Sequence, residues 1–165
     1  MNNELTAQDI QKMQQELDYR RLELMPELIE EVKRTRAFGD LSENYEYKAA
    51  KQAQNANKKR IRYLDRMIQS ATVIEDHAGA DEVGLFDRVC LYFEDDEEEQ
   101  TIQVVTTVRC DPREGRISKE SPMGKALLGK KVGDRFLVEA TPTYSYYVVV
   151  RSITKSQDDG SAPIL

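Results

Sequence analysis

The hydrophobic positions of the chain follow two different periods, and the change falls near residue 76. Before it, apolar residues recur at helical spacing, and the only glycine and proline are Gly39 and Pro26. Farther along, apolar and β-branched residues alternate with polar ones, the period of strands that face one core. The alternating segments are Arg88 to Phe93, Thr101 to Cys110, Arg135 to Ala140 and Tyr146 to Thr154. We therefore predict a helical domain over residues 1–76 and an α+β domain over residues 77–165.

The first apolar stripe predicts a helix that starts at Thr6 or Ala7. Thr6 is placed as the N-cap, and Leu5 and Ile10 can form a hydrophobic staple across it. Because proline has no backbone N–H, we expect Pro26 to kink this helix or to distort one of its turns. The stripe consists of Ile10, Met13, Leu17, Leu24, Leu28 and Val32.

A more regular stripe predicts the second helix. Its positions step alternately by 3 and 4 residues, which is a heptad seam: Tyr47, Ala50, Gln54, Asn57, Ile61, Leu64, Ile68 and Ala71. Between the two stripes, Gly39 is the helix-ending signal, so the helices should fold back there as an antiparallel coiled-coil hairpin. The polar residues Gln54 and Asn57 should specify the register of that hairpin.

The α+β domain should contain several antiparallel strands and a short helix over Met123 to Leu128, which follows Ser121 and Pro122. It also holds the acidic run from Glu94 to Glu99, for which we expect a solvated hairpin loop.

Composition excludes several classes of protein. Lys and Arg number 24 against 30 Asp and Glu, so a net charge of −6 argues against a generally basic nucleic-acid binder. The single histidine, His77, and the cysteines Cys90 and Cys110 are too few for a four-ligand zinc site. We expect His77 to be a linker residue and the cysteines to be packed inside the strand domain. No targeting segment or long apolar run is visible, so we expect a soluble cytoplasmic protein.

The turn of the hairpin carries two acids, Asp40 and Glu43. An Asp followed three residues later by Glu is the pattern of a capping box for the second helix, and Ser42 is a competing cap. Capping does not explain the apolar Leu41 at the turn, or the adjoining Asn44 to Tyr47 with its two tyrosines. Both interpretations, capping and function, remain open on spacing alone.

The segment from Arg36 to Lys51, RAFGDLSENYEYKAAK, resembles the Gre transcript-cleavage factors of bacteria, and GreA more than GreB. In the second half, residues 121–129 (SPMGKALLG) and 132–134 (VGD) are similar to the C-terminal pattern of that family. The resemblance covers about residues 5–140. Two departures stand out: Tyr45 replaces a usual alanine, and Thr141 to Thr154 lacks the usual glycine-rich turn.

The resemblance implies a function at RNA polymerase. Gre factors insert the coiled coil into the secondary channel of the polymerase, where Asp40 and Glu43 would help the polymerase's carboxylates to hold a second Mg²⁺. The polymerase would then cleave its backtracked RNA, so the protein would be an accessory factor, with no cofactor of its own and no enzymatic activity alone. Six residues of the tip would contact the 3′ end of the RNA or the polymerase: Arg36, Leu41, Ser42, Asn44, Tyr47 and Lys51.

The resemblance also implies an FKBP-like second domain that docks on the polymerase, with Ser121 and Pro122 as contacts. Those two residues are equally explained as a helix start. An FKBP-like fold suggests prolyl isomerisation, but fold is weak evidence of function and no aromatic-rich pocket is visible in the sequence. We expect a monomer that does not bind membranes.

Three functions remain open at this stage. The first is a cleavage-stimulating elongation factor, which the intact Asp40 and Glu43 favour. The second is a secondary-channel binder that inhibits polymerase without stimulating cleavage, and the third is a generic coiled-coil adaptor. The basic surface of the second helix is either a solvated face or a contact for RNA or acidic channel walls; it consists of Lys58, Lys59, Arg60, Arg62 and Arg66.

Overall fold

A computed structural model describes residues 3–39 and 44–165. The described residues divide into two compact units. The first holds Asn3 and Asp9–Thr72, and the second holds Glu4–Gln8 and Val73–Leu165. The second unit therefore includes a short segment from the beginning of the chain, which the change of hydrophobic period near residue 76 does not reveal.

The first unit is built on three helices, α1 (Ala7–Tyr19), α2 (Met25–Arg36) and α3 (Tyr45–Gln69). The predicted start of the first helix at Thr6 or Ala7 is confirmed. Contacts between residues 16 and 60, 20 and 57, and 36 and 47 show that the two arms run antiparallel, as the sequence predicts. Most of the predicted seam of α3 is buried or half-buried: Tyr47, Ala50, Gln54, Asn57, Ile61, Leu64 and Ile68.

Between α1 and α2 the backbone forms a short π-helical segment, Arg20–Leu24. The Met25 N–H donates to the Arg20 carbonyl, five residues back. Pro26 follows directly and has no N–H to donate to the preceding turn, so the regular hydrogen-bond ladder is interrupted there. The predicted distortion at Pro26 is confirmed.

The second unit contains a five-stranded sheet and one helix, α4 (Pro122–Leu127). Two-residue strands β1 (Glu4–Leu5) and β2 (Thr72–Val73) form a separate ladder. The strands of the large sheet are β3 (Arg88–Phe93), β4 (Glu98–Val105), β5 (Arg116–Ser118), β6 (Arg135–Thr141) and β7 (Tyr144–Thr154), in the spatial order β5-β4-β3-β7-β6. The prediction of an α+β domain after a helical hairpin is confirmed. The prediction of several antiparallel strands is confirmed by the pairs β3–β4, β3–β7 and β6–β7. Strand β5, which the sequence analysis did not predict, is parallel to β4.

The predicted strand from Thr101 to Cys110 is wrong at its end. Strand β4 stops at Val105, and Thr107–Arg109 forms a 3-10 turn. This turn carries Arg109, a fully buried guanidinium that binds both carboxylate oxygens of Asp158 at 2.6 and 2.8 Å and the Ala162 carbonyl at 2.7 Å. This long-range pairing holds the C-terminal segment and has no local sequence signal.

Strand β4 also begins earlier than predicted, at Glu98. Glu98 and Glu99 therefore pair with Phe93 and Tyr92 in the sheet, and only the first part of the acidic run lies in the turn. The loop prediction for Glu94 to Glu99 is wrong for these two residues. Both residues belong to the ladder with β3, while their side chains stay exposed.

The core of the second unit lies on one face of the sheet, under α4. Half of its members come from β3, β4 and β7: Val89, Leu91, Ile102, Val104, Val105, Val148 and Val150. The cysteines are half-buried and free, and Cys110 packs against this core. His77 is exposed and lies between β2 and β3, as expected of a linker residue.

Candidate functional site

The turn of the hairpin lies between the end of α2 at Arg36 and the start of α3 at Tyr45. Gly39 has a φ of +103°, a left-handed conformation that favours glycine, so the predicted reversal at Gly39 is confirmed. Four of the predicted site residues, Asp40, Leu41, Ser42 and Glu43, lie outside the described residues. Their flanks are described on both sides.

Asn44 closes the turn. Its side-chain oxygen accepts from the Tyr47 N–H at 2.9 Å, which makes Asn44 the N-cap of α3. Its amide group donates to the Thr35 carbonyl at 2.6 Å, and so ties the start of α3 to the last turn of α2. The sequence prediction of a cap at Asp40 or Ser42 is therefore wrong, because the helix starts later. Capping of α3 therefore does not explain the pair Asp40 and Glu43.

Basic and aromatic side chains alternate around the described part of the tip. The Arg36 guanidinium lies 5.7 Å from the centre of the Tyr47 ring and 3.4 Å from its hydroxyl. Arg34 lies over Phe38 at 5.2 Å, and Lys48 over Tyr45 at 5.5 Å. Each ring fixes a cation, and cation–π pairs of this kind contribute about 0.5–1 kcal/mol at exposed sites.

Two aromatic rings of the tip are largely exposed, Tyr45 at 80% and Phe38 at 56%. Of the predicted contact residues, the structure brings Arg36 and Tyr47 together and gives Asn44 a structural role. Lys51 is exposed, two turns farther along α3.

A polar cluster joins the two arms away from the tip. Glu16 accepts from Arg20 at 2.9 Å and from Arg60 at 2.8 Å, and Arg20 also donates to the side chain of Asn57 at 2.9 Å. Desolvation raises the pKa of the Glu16 carboxyl, but the hydrogen bonds and charges of Arg60 and Arg20 lower it more, so the net shift is downward. Asn57 thus specifies the register, as predicted for a polar seam residue, whereas the role of Glu16 was missed.

The predicted basic surface of α3 is only partly available, because Arg60 is tied to Glu16 and stacks over Tyr63 at 5.1 Å. The remaining part is an open groove of about 440 Å³ whose lining includes Lys59, Arg62 and Arg66.

In the second unit, Ser121 caps α4. Its hydroxyl accepts from the Gly124 N–H at 3.0 Å and donates to the Ser118 carbonyl at 2.6 Å. Pro122 occupies the first turn of α4 and is exposed. The helix-start explanation is thereby confirmed for both residues, and the exposed Pro122 is also placed where a partner could contact it.

A cavity of about 210 Å³ opens at the end of the sheet, and its lining includes Phe93, Tyr144, Tyr146 and Tyr147. No signature of an aromatic-rich pocket was visible in the sequence, but the structure has one. The alternation of Tyr144 and Tyr146 along one strand is a signal that could have indicated it.

The described part of the chain offers neither a cluster of metal ligands nor a helix that could cross a membrane. Residues 3–39 and 44–165 contain no group of three or more His, Cys, Asp or Glu side chains placed to hold a metal ion. Within the same ranges, no helix is both long enough and apolar enough to cross a membrane.

Comparison with known proteins assigns the family. Residues 3–73 match the family described as "Transcription elongation factor, N-terminal", and residues 78–155 match "Transcription elongation factor, GreA/GreB, C-term". The transcription elongation factor GreA of Bacillus subtilis is 42% identical over 135 residues, which cover 82% of this chain and 86% of the relative. GreA of Sinorhizobium medicae is 45% identical over 129 residues, which cover 78% and 82%.

Among solved structures, the GreA factor homolog 1 of Thermus thermophilus is 28% identical, with a TM-score of 0.44, and the alignment covers 94% of this chain and all of that one. A GreA/GreB factor of Nitrosomonas europaea is 23% identical, with a TM-score of 0.40 over 58% of this chain and 79% of that one. The sequence matches extend over both units, and the chain belongs to the GreA/GreB family of transcription elongation factors.

Proposed function

We propose that this protein binds RNA polymerase, inserts the tip of its helical hairpin into the secondary channel and stimulates the polymerase's own cleavage of backtracked RNA. The observation that carries the proposal is the cap of α3. Because Asn44 caps the helix and ties it to α2, the fold does not need Asp40 and Glu43 for that purpose. Capping of α3 therefore does not explain the two acids, and we assign their chemistry to a partner.

The chemistry of the two acids suits a shared metal site. Carboxylate oxygens are the hard ligands that Mg²⁺ prefers, but two of them fill only part of its octahedral shell of about six ligands. The remaining ligands would come from the polymerase and from water. When bound there, Mg²⁺ supplies charge stabilisation at the scissile phosphate and promotes ionisation of the attacking water. In this proposal the factor completes a site on its partner and has no catalytic activity alone.

The described flank of the tip supports a contact with RNA. Arg36 is held over Tyr47, and Lys48 lies over Tyr45, so two cations sit beside the acids along the sequence. Cations bind phosphate groups, and aromatic rings stack on unpaired bases. We assign Arg36, Tyr47 and Lys51 to the 3′ end of the backtracked RNA or to the channel wall, with Leu41 and Ser42 nearest the acids in the sequence.

The test compares variants in a stalled, backtracked elongation complex. Asp40→Asn and Glu43→Gln each keep the size of the side chain but remove a carboxylate. We expect each to lose most of the cleavage stimulation, seen as shortened RNA with a new 3′ end, while binding to polymerase stays near the level of the unchanged protein. Glu46→Gln, in the first turn of α3, is the matched control.

The outcomes separate the alternatives. Full stimulation by Asp40→Asn would exclude the metal-ligand role. If the unchanged protein bound polymerase and slowed elongation without cleaving RNA, the second interpretation, an inhibitor of the secondary channel, would replace the proposal.

A further inference from the structure

The aromatic cavity of the second unit lies on the core face of the sheet, beyond the core itself. Tyr146 pairs with the buried Val138, and Phe93 pairs with the buried Val148. Directly opposed residues of adjacent strands point to the same face. Phe93 and Tyr146 therefore continue the core face toward the open end of the sheet, where their rings are only half-buried.

The rings form a connected aromatic wall. The centroids of Phe93 and Tyr146 are 6.0 Å apart, and those of Tyr146 and Tyr144 are 5.7 Å apart. Both distances are in the range of favourable tilted aromatic pairs, which hold the rings in place before any ligand arrives. Tyr144 is 55% exposed, so this wall presents ring surface to solvent.

Asp95, Asp96 and Gln100 complete the lining of the cavity, and the first two are carboxylates. Their neighbours in the acidic run have arginine partners, since Glu94 binds Arg135 at 2.7 Å and Glu99 lies 3.8 Å from Arg151. Within the described ranges, no basic side chain is paired with Asp95 or Asp96. The cavity therefore combines ring faces and two uncompensated negative charges.

This combination favours a cation with a flat or apolar body. Ring faces are negative and attract guanidinium and ammonium groups, and the carboxylates add a direct charge. One ring of the lining, Tyr147, already holds a cation of this chain, since Arg135 lies 3.7 Å from its centre. Elsewhere on the sheet, Arg151 lies 4.6 Å from the centre of the Tyr92 ring. The negative charges repel nucleic acid at this position.

The size of the cavity indicates what presents the cation. Its volume of about 210 Å³ is below the roughly 300–1,000 Å³ of pockets that enclose drug-sized ligands. It is suited to one side chain. A guanidinium is planar, stacks on rings and offers a fork of donors to carboxylates, which lysine does not.

We propose that this cavity binds an arginine side chain presented on the surface of a partner protein. The contact is separate from Pro122 and does not depend on the tip of the hairpin. It gives the second unit a docking point built from Phe93, Asp95, Asp96 and the tyrosines at the start of β7.

The test uses the ¹⁵N-labelled full-length protein and two short peptides in NMR titrations. The probes are acetyl-Gly-Gly-Arg-Gly-Gly-amide and the same peptide with citrulline, which has nearly the shape of arginine without its charge. We expect saturable shifts of the amides of Phe93, Asp95, Asp96 and Tyr144 with the arginine peptide, and binding at least about five-fold weaker with citrulline. A lysine version should also bind several-fold more weakly.

Matched variants separate the cavity from general charge. Asp95→Asn with Asp96→Asn should weaken the arginine peptide at least about five-fold, whereas Glu97→Gln with Glu98→Gln, which removes the same charge outside the lining, should change it less than two-fold. Tyr144→Leu, an exposed position where loss of the ring should leave the fold intact, should also weaken binding.

Three outcomes would overturn the proposal. They are equal binding of the arginine and citrulline peptides, equal loss in the two double variants, and shifts at the same amides when the protein alone is concentrated. The last result would assign the cavity to a second copy of this chain.

Discussion

At the scale of single residues, polar side chains hold the described part of the hairpin together, because each forms hydrogen bonds to both arms. Glu16 binds Arg20 of its own arm and Arg60 of the other, and Asn44 binds Tyr47 and Thr35. Each is at most half-buried, so its hydrogen bonds are partly shielded from water. These residues hold the register that places the tip.

Glu16→Gln should destabilise the protein at pH 7 by about 1–3 kcal/mol, because Arg20 and Arg60 lose their charged partner. The pKa of Glu16 is lower in the folded state, so the stabilisation is complete well above the unfolded value of about 4.3 and is lost as the pH falls through the folded value. Urea unfolding of both proteins at pH 7 and pH 3 measures this. The difference should shrink at pH 3; a difference that is the same at both pH values would contradict the charge argument.

Asn44→Ala should lower the free energy of unfolding by about 0.5–2 kcal/mol, since α3 loses its N-cap. Asn44→Asp keeps the acceptor for the Tyr47 N–H but loses the donor to the Thr35 carbonyl. Its stability should therefore lie between those of Asn44→Ala and the unchanged protein. Thermal melts followed by circular dichroism at 222 nm give the order. Asp40→Asn serves as the control and should melt like the unchanged protein; a clear loss of stability there would restore a structural role for Asp40.

At the scale of elements, close backbone approach positions α4. An added Cβ on Gly124 would lie 2.2 Å from the Ser118 carbonyl oxygen and 3.0 Å from the Cα of Lys119. Both are backbone atoms, which cannot move aside as a flexible side chain does. The same carbonyl of Ser118 accepts from the N–H and the hydroxyl of Ser121, so this contact seats the helix that carries Pro122.

Gly124→Ala should therefore cost about 1–3 kcal/mol or more through overpacking. Lys125→Gln, at the exposed neighbouring position, should change stability by less than about 0.5 kcal/mol. Chemical denaturation of both variants, followed by near-ultraviolet signals of the tyrosines, tests the pair. Equal midpoints for Gly124→Ala and the unchanged protein would show that α4 can move away from Ser118 without loss.

At the scale of the whole molecule, the two units carry different residues for binding a partner. The first holds the acidic tip with its cations and rings, and the second holds Pro122 and the aromatic cavity. In the proposed function, docking by the second unit makes insertion of the tip intramolecular, which raises its effective concentration by on the order of 10² without new contacts at the tip.

Pro122→Ala should then raise the concentration that gives half-maximal cleavage by about five-fold, if the contact contributes about 1 kcal/mol. The maximal cleavage rate should not change, because the tip is untouched. Pro122 is exposed and Ser121 still caps α4, so this variant should fold normally. A titration into the backtracked complex gives both quantities, and a lowered maximum with unchanged half-saturation would assign the second unit a different role.

The sequence by itself determined the features that depend on local pattern. The helical hairpin, its reversal at Gly39, its polar seam and the distortion at Pro26 all follow from periodicity, glycine and proline, which act within a few residues. Most strand positions follow from alternation in the same way. The motif from Arg36 to Lys51 and its C-terminal counterpart also identified the family.

Tertiary structure alone decided the features that join residues distant in the chain. Arg109, in the turn that follows β4, pairs with Asp158. Glu4 and Leu5 belong to the unit built from the second half, and β5 runs parallel to β4. The sequence pattern permits a helix cap at Asp40 or Ser42 as well as at Asn44. The hydrogen bond from the Asn44 amide to the Thr35 carbonyl favours Asn44. In each case the free energy that selects the structure comes from contacts between separate segments of the chain. Local sequence spacing carries no information about those contacts.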